Sequence, residues 1–303
     1  MNFKRIFQGL TLGLVLAALV GITGLAQTVG FSVSTLANPF FVIMKEAGEA
    51  AADRLGIELI TLDAQDNMEK QVRDIEDLIA RDVDVLIINP YDSDAIVPSV
   101  LEANRAGIPV ITVTRPSNAG EVVQHLDVKN AFGGKLVGAA VAASLDGVGN
   151  VVVLEGIPGA PSAAERQAGF LDVIDVFEGI EVLASQTAHY AREEGATVME
   201  DLLQAHPEID AVYAHNDEMA LGAVRAIESA GRTGIEVFGF DAIPDAIDAI
   251  ELGSMVATIK QQPDLQMTMA VETALEIIQG TPTDEIAPIV YIPMVLITAE
   301  DLD

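Results

Sequence analysis

The chain of 303 residues contains no cysteine. That excludes a disulfide framework, a thiolate nucleophile and any metal site built on thiolates. Basic residues are scarce. Sixteen Lys and Arg stand against 46 Asp and Glu, for a formal charge of −30 at pH 7. Such a surface argues against nucleic acid or an anionic membrane as partner. It also implies heavy solvation, for which life in salt or at high pH is one explanation. Several chemical motifs are missing as well. Gly133-Gly134-Lys135 is followed by Leu136, where a phosphate loop needs a Mg²⁺-binding Ser or Thr. No G-x-G-x-x-G follows a strand, and no G-x-S-x-G elbow supplies a nucleophile. The four histidines, His125, His189, His206 and His215, form no pair at metal-binding spacing. In His215-Asn216-Asp217-Glu218, strand alternation sends the first two side chains apart, and the acids fit the first turn of a helix.

The one long apolar run lies at the start. Lys4 and Arg5 precede Leu10 to Val20, and Gly24-Leu25-Ala26 reads as a small-x-small cleavage site. This is the pattern of a secretory signal peptide over residues 1–26, cleaved near Ala26, and it places the mature chain in a periplasm. An uncleaved anchor is the alternative, but Thr11, Gly13 and Gly21 interrupt a run already short for a membrane span. No cysteine near the site offers a lipid anchor. Loss of Lys4 and Arg5 makes the mature charge −32, from 14 basic and 46 acidic residues.

From Thr28 onward, short runs rich in Val and Ile alternate with stretches of helical spacing. Val85-Leu86-Ile87-Ile88, Val110-Ile111-Thr112-Val113 and Val151-Val152-Val153-Leu154 are continuous rather than alternating, which fits strands buried on both faces of a parallel sheet. Met44, Ala47, Ala51 and Leu55 mark one helix face, and Val72, Ile75 and Ile79 the next. Strands are expected near 28–34, 58–63, 85–89 and 110–114, then near 150–155, 180–187, 211–215, 236–240 and 256–259. The chain passes between the two sets around Asp127-Val128-Lys129-Asn130. The fold class is therefore α/β, with two parallel-sheet lobes. A helix from Asp264 to Gln279 and one strand near Ile289 to Leu296 are expected to return to the first lobe.

Polar residues follow the buried strands in both lobes: Asn38, Asn89, Thr114 with Arg115, Asn216 with Asp217, and Asp241. Ligands of open parallel sheets bind outside the C-terminal strand ends. Any one of these residues could instead cap a helix, and Asp217 is the expected N-cap. In Asn38-Pro39-Phe40-Phe41, Pro39 suits a first helical turn and Asn38 suits the cap. The two phenylalanines fit either a core plug or a wall for a ligand greasy on its faces and polar at its edge, such as a sugar. Arg115 and Arg166 stand near strand–helix turns. Each could donate to vicinal hydroxyls or to a carboxylate, or pair with a surface acid.

Five motifs, in order, carry a resemblance: Val33-Ser34-Thr35-Leu36-Ala37-Asn38-Pro39-Phe40-Phe41, Ile88-Asn89-Pro90-Tyr91-Asp92-Ser93-Asp94-Ala95, Ile108-Pro109-Val110-Ile111-Thr112, Ala214-His215-Asn216-Asp217-Glu218-Met219-Ala220-Leu221-Gly222-Ala223, and Gly239-Phe240-Asp241. From about Thr28 to Gln279 the chain resembles the pentose/hexose family of periplasmic binding proteins, the ribose-binding type that serves ABC transporters. The resemblance implies two Rossmann-like lobes joined by three hinge strands and closing on one sugar. It implies that Phe40 and Phe41 stack on one sugar face and Tyr190 on the other. Asn38, Asn89, Arg115, Arg166, Asn216, Asp241 and Gln261 would bond the hydroxyls, and Phe240 would pack beside Asp241. Hinges would fall at Val128-Lys129, at Gln261-Gln262 and near Tyr291-Pro293. The lobes would be residues 27–128 with 262–291, and 129–261 with 292–303.

The chain departs from that pattern at three places. Thr114 stands where ribose binders carry an aspartate, Ala37 replaces a second asparagine, and Val128-Lys129 replaces a Ser-Asp pair. Loss of a charged acceptor matched to a sugar hydroxyl costs about 1.5–3 kcal/mol. Ribose, another pentose, a hexose and a sugar alcohol are thus all admitted. The expected protein is a monomer without catalysis, metal or cofactor. It captures a monosaccharide or sugar alcohol and hands it to an ABC permease, with a chemoreceptor as a further possible partner. The alternatives are a ligand-presenting sensor and a hydrolase or isomerase. The latter would need a second catalytic group beside Asp241.

Overall fold

The first apolar run forms β1 (Thr28–Val33), buried from Val29 onward. In the computed structural model, which describes residues 27–302, it lies between β2 (Glu58–Asp63) and β3 (Val85–Ile88), with Val29 opposite both Leu59 and Val85. The remaining strands are β4 (Val110–Val113), β5 (Gln124–Asp127), β6 (Val148–Glu155), β7 (Gly179–Thr187), β8 (Ala211–Ala214), β9 (Glu236–Phe238), β10 (Ala257–Lys260), β11 (Ile289–Tyr291) and β12 (Val295–Thr298). They make two six-stranded sheets, ordered β11-β5-β4-β3-β1-β2 and β12-β10-β9-β8-β6-β7. Every pairing of named strands is parallel except that of β10 with β12. The continuous apolar runs of β3 and β4, and Val151 to Leu154 of β6, are buried throughout. Helices cover both faces of each sheet, as such strands require. The expected leader over residues 1–26 lies outside the described residues.

The helices are α1 (Pro39–Leu55), α2 (Met68–Ala80), α3 (Val97–Ala106), α4 (Asn130–Ser144), α5 (Pro161–Ile174), α6 (Arg192–Ala205), α7 (Asp217–Ser229), α8 (Pro244–Glu251) and α9 (Pro263–Ile278). Two buried faces are rotated from their expected positions. On α1 the small residues Gly48 and Ala52 go inward, while Ala47 and Leu55 are only half-buried. A Cβ at Gly48 would lie 2.8 Å from Met267 of α9, so the two helices meet where α1 has no side chain. On α2, Gln71 and Leu78 flank Ile75 in the core. Gln71 is buried because its amide donates to the Asn89 carbonyl at 2.8 Å and its carbonyl accepts from the Tyr91 N–H.

Two strands differ from expectation. β5 has the sequence Gln-His-Leu-Asp, which carries no apolar run. It enters the sheet because its polar atoms have partners: Gln124 accepts from Thr273 and donates to the Ala287 carbonyl, and His125 meets Thr112 at 2.8 Å. The single final strand expected near 289–296 is two strands, one in each sheet. Ile292 still donates to Asp127 at 2.8 Å, but Pro293 has no N–H to continue the ladder. The chain therefore crosses between sheets three times, at 128–129, 261–262 and 292–294. Cross-ties hold these segments side by side. Gln262 donates to the Pro293 carbonyl at 2.8 Å, and the Lys129 ammonium lies 5.4 Å from the Tyr291 ring centre.

In the second lobe, α4 and α5 touch backbone to backbone. A Cβ on Gly169 would lie 1.9 Å from the Ala131 carbonyl oxygen, and one on Gly134 would lie 2.2 Å from that of Arg166. This approach sets the height of Arg166 above the sheet. Gly169→Ala forces the helices apart, and overpacking of this kind costs about 1–3 kcal/mol. Urea unfolding is expected to show a lower midpoint at unchanged slope, whereas an unchanged midpoint would mean that the contact yields freely.

Candidate functional site

The C-terminal strand ends of the two sheets face one another across a cavity of about 400 Å³. From the first lobe, Asn38, Phe40, Phe41, Thr114 and Arg115 line it. From the second come Arg166, Tyr190, Asn216, Asp241 and Gln261. Asn38 caps α1, accepting from the Phe40 N–H at 2.9 Å, and its side chain is near enough to the Asp241 carboxylate of the opposite lobe to favour its anion. Phe40 and Phe41 pack edge to face with centres 5.1 Å apart. Both are buried and both line the cavity, so the core and wall readings hold together. Tyr190 faces them from the other lobe. Its ring lies against Gly156, where a Cβ would come within 2.0 Å, and its hydroxyl meets Ser162 at 3.0 Å.

The two arginines are held differently. Arg166, 6% exposed, stacks on Phe240 with its guanidinium carbon 3.7 Å from the ring centre. It donates to Asn130 at 2.9 Å and to the His215 carbonyl at 2.6 Å, and lies 3.9 Å from the Asp241 carboxylate. Arg115, 7% exposed, donates to the carbonyls of Pro90 at 3.1 Å and Tyr91 at 3.4 Å. Its guanidinium carbon lies 5.9 Å from the Phe41 ring centre and 5.8 Å from that of Tyr190. Burial pulls its pKa down. No ion pair within 4 Å involves Arg115 among the described residues. Asp241 accepts from Gln261 at 2.5 Å, and its backbone is left-handed at φ 133°. Burial raises its carboxyl above the ordinary range, against the opposing charge of Arg166.

Two residues expected at the cavity wall stand behind it. Asn89 is fully buried and its amide is spent. Its oxygen accepts from the Ser34 hydroxyl at 2.6 Å and the Ser34 N–H at 3.3 Å, and its nitrogen donates to the Val113 carbonyl and the Thr114 hydroxyl. It braces the wall, with no donor or acceptor left for a ligand. Phe240 is the platform beneath Arg166. The expected cap of α7 is also corrected. Asn216 is the N-cap, accepting from the Met219 N–H at 3.0 Å. Asp217 turns inward to accept from Thr258 and the Ile243 N–H. Burial raises its carboxyl, partly offset by those bonds. Of the expected hinge residues, Val128, Lys129, Gln262 and Pro293 all lie in the three crossings, with Gln262 at φ 57°.

The wall also includes residues that sequence reasoning passed over. Ser162, Asp66 and Thr35 bring polar atoms, and Arg192, Glu193 and Glu218 form the rim of the second lobe. Ser162 follows Pro161 at the start of α5, which was the available signal. Asp66 carries none, being one acid in an acidic chain. Among the described residues, no group of three or more His, Asp or Glu is placed to hold a metal ion.

Residues 29–282 match the family described as a periplasmic binding protein domain. The chain belongs to that family. It is 43% identical over 281 residues to the ribose import binding protein RbsB of Escherichia coli K12, a match that spans 92% of this chain and 94% of that one. It is 46% identical over 253 residues to RbsB of Bacillus subtilis 168, 84% of this chain and 82% of the relative. A solute-binding protein of an ABC transporter from Actinobacillus succinogenes 130z, solved with D-allose, superposes with a TM-score of 0.85 at 34% identity, covering 90% of this chain and 98% of its own. One from Bacillus halodurans C-125, solved with myo-inositol, gives 0.85 at 33%, covering 91% and 96%. In this family setting the two-lobe α/β fold is the type I arrangement.

His215 supports the site from behind. Its Nδ1 accepts from the Gly156 N–H at 3.3 Å, which leaves the proton on Nε2, 3.0 Å from the Gln167 carbonyl oxygen. Burial and the neighbouring Arg166 push its pKa down to about 3. The folded state therefore holds it neutral, while the unfolded state takes a proton below its ordinary value of 6.5. Its stabilising contribution is complete above that value and is lost as pH falls towards the folded value, at about 1.4 kcal/mol per pH unit. Urea titrations from pH 7 to 4 are expected to show this loss in the wild type. His215→Gln, which cannot titrate, should remove that share of the slope; parallel pH curves would refute the assignment.

Proposed function

We propose that the chain is the substrate-binding component of an ABC sugar importer, taking one neutral monosaccharide or sugar alcohol into the interlobe cavity. The observation that carries this reading is the pairing of aromatic faces with polar edges. Phe40 and Phe41 on one side and Tyr190 on the other leave a slot for a ring, and Asn38, Arg115, Arg166, Asn216, Asp241 and Gln261 surround it. Flat apolar C–H faces suit the aromatic walls, and hydroxyls at the rim suit guanidinium donors and a carboxylate acceptor. The relatives solved with D-allose and myo-inositol, and those named for ribose, support a ligand of this class.

Binding is closure. Each lobe supplies part of the ligand's shell, so a ligand that contacts both stabilises the closed arrangement over the open one. The three crossings are the hinge, with Val128, Lys129, Gln262 and Pro293 absorbing the rotation. They set the lobe boundaries at 27–128 with 262–291 and 129–261 with 292–303. The partner is an ABC permease that reads the closed pair of lobes, and a chemoreceptor would read the same face. The chain acts as an exported monomer, cleaved near Ala26. The arrangement is one of capture rather than turnover. Asp241 accepts from Gln261 and lies beside Arg166, and Glu218 pairs with Arg192 at 2.6 Å, so both acids are tied to donors rather than to each other.

Calorimetric titration of the mature chain from Gln27 with ribose, xylose, arabinose, glucose, galactose, allose, xylitol, ribitol and myo-inositol tests this. One-to-one saturable binding of at least one ligand is expected, with Phe41→Ala weakening it tenfold or more. A folded protein that binds none of them overturns the reading.

A further inference from the structure

The first-lobe wall lacks a carboxylate where the cation stands. Residue 114 is Thr, left-handed at φ 61°, and its hydroxyl accepts from the Asn89 amide. One hydroxyl proton and a methyl are what it can present beside Arg115. Asp66 lines the same cavity from the loop between β2 and α2. We propose that Asp66 is a specificity-determining residue of the sugar site, supplying the first-lobe carboxylate that accepts a hydroxyl from an arm of the ligand extending beyond its ring.

The loop that bears Asp66 is fixed. Its N–H donates to the Ser34 carbonyl at 2.8 Å, and the Asp63 carboxylate accepts from the N–H groups of Leu36 at 3.1 Å and Gln65 at 2.9 Å. The next residue, Asn67, caps α2 through the Lys70 N–H at 2.7 Å. Gln65 and Asp66 are both left-handed at φ 56°, a conformation that Asp and Asn tolerate better than most residues. The backbone at Asp66 is thus held by two loops at once, which aims the side chain from a fixed support. Partial burial raises the Asp66 carboxyl above its ordinary range; of the groups facing it, Thr35 and the charge of Arg115 favour the anion, and the charge of Asp63 opposes it. Neither Asp66 nor Arg115 forms an ion pair within 4 Å among the described residues. Each keeps capacity for a ligand hydroxyl, Asp66 to accept from one and Arg115 to donate to one.

Position then sets the ligand class. Asp241, Arg166 and Gln261 form the buried floor of the cavity, whereas Asp66 is exposed at its mouth. A hydroxyl that reaches Asp66 while the ring sits on the floor must be carried on an exocyclic arm. This favours a hexose-type or hydroxymethyl-bearing neutral sugar over a bare pentopyranose. It disfavours a sugar acid, whose carboxylate would meet Asp66.

The inference rests on the sugar-binding reading, and the test separates the two. D-Allose and D-ribose share their ring configuration, and in the pyranose form allose adds a hydroxymethyl arm; 6-deoxy-D-allose keeps the arm carbon without its hydroxyl. The mature protein and Asp66→Asn, which keeps the left-handed turn, are titrated with all three. The wild type is expected to bind D-allose at least tenfold more tightly than D-ribose or 6-deoxy-D-allose. In Asp66→Asn that preference should shrink to threefold or less, with D-ribose affinity changed by less than threefold. An unchanged preference in the variant, or an equal loss for all three sugars, overturns the role of Asp66 while leaving a sugar site standing. Failure of the folded wild type to bind any of the three overturns the inference, and silence across the wider panel would then remove the sugar-binding reading as well.

Discussion

A guanidinium taken out of water must find acceptors and a π face before the fold can tolerate it. Arg166 obtains them from several separate elements. Asn130 at the start of α4, the carbonyl of His215 at the end of β8, and the ring of Phe240 beyond β9 each occupy one side of it. Much of the second lobe's cavity wall is arranged by that demand. The glycines of α4 and α5 let the helices close to backbone contact, so that Asn130 can reach the guanidinium. His215 stays neutral because it is buried, with this fixed charge beside it. Asp241 is presented to the cavity close to a cation it does not fully engage, which keeps acceptor capacity at the surface where a hydroxyl would arrive.

Much of this was readable from the chain, and the limits have physical causes. Buried parallel strands write themselves as continuous apolar runs, so β1, β3, β4 and β6 were plain. The rule that ligands gather at strand ends then brought out Asn38, Arg115, Asn216 and Asp241 before any geometry was known. β5 was invisible because its burial is secured by hydrogen bonds rather than hydrophobicity. The division of the last strand turned on a single missing N–H at Pro293. Asn89 and Phe240 have the chemistry of ligand contacts, but their polar atom or ring is consumed one layer back, and strand position does not report depth. The choice of Asn216 over Asp217 as the cap of α7 reflects what lies beneath, since Thr258 and the Ile243 amide claim the aspartate.

Charge inside the cavity is mixed in sign. The molecule as a whole is strongly acidic, and three of its few cations, Arg115, Arg166 and Arg192, line one cavity together with Asp66, Glu193, Glu218 and Asp241. A lining of both signs sets donors and acceptors side by side without a strong net field of its own. The cleft reads the local arrangement of donors and acceptors, while the surface governs solubility.

The threefold crossing of the chain has a further consequence for the order in which the molecule can be made. The first sheet is bordered by β11, and α1 rests on α9 through Gly48 and Met267, more than two hundred residues apart in sequence. The N-terminal lobe is therefore incomplete until residues close to the end of the chain have been synthesised. Its early strands must wait, unclosed, while the other lobe is produced. Closing so long a loop carries an entropy cost that short-range contacts do not meet, so the first lobe is the part of the fold most dependent on nearly the whole chain being present.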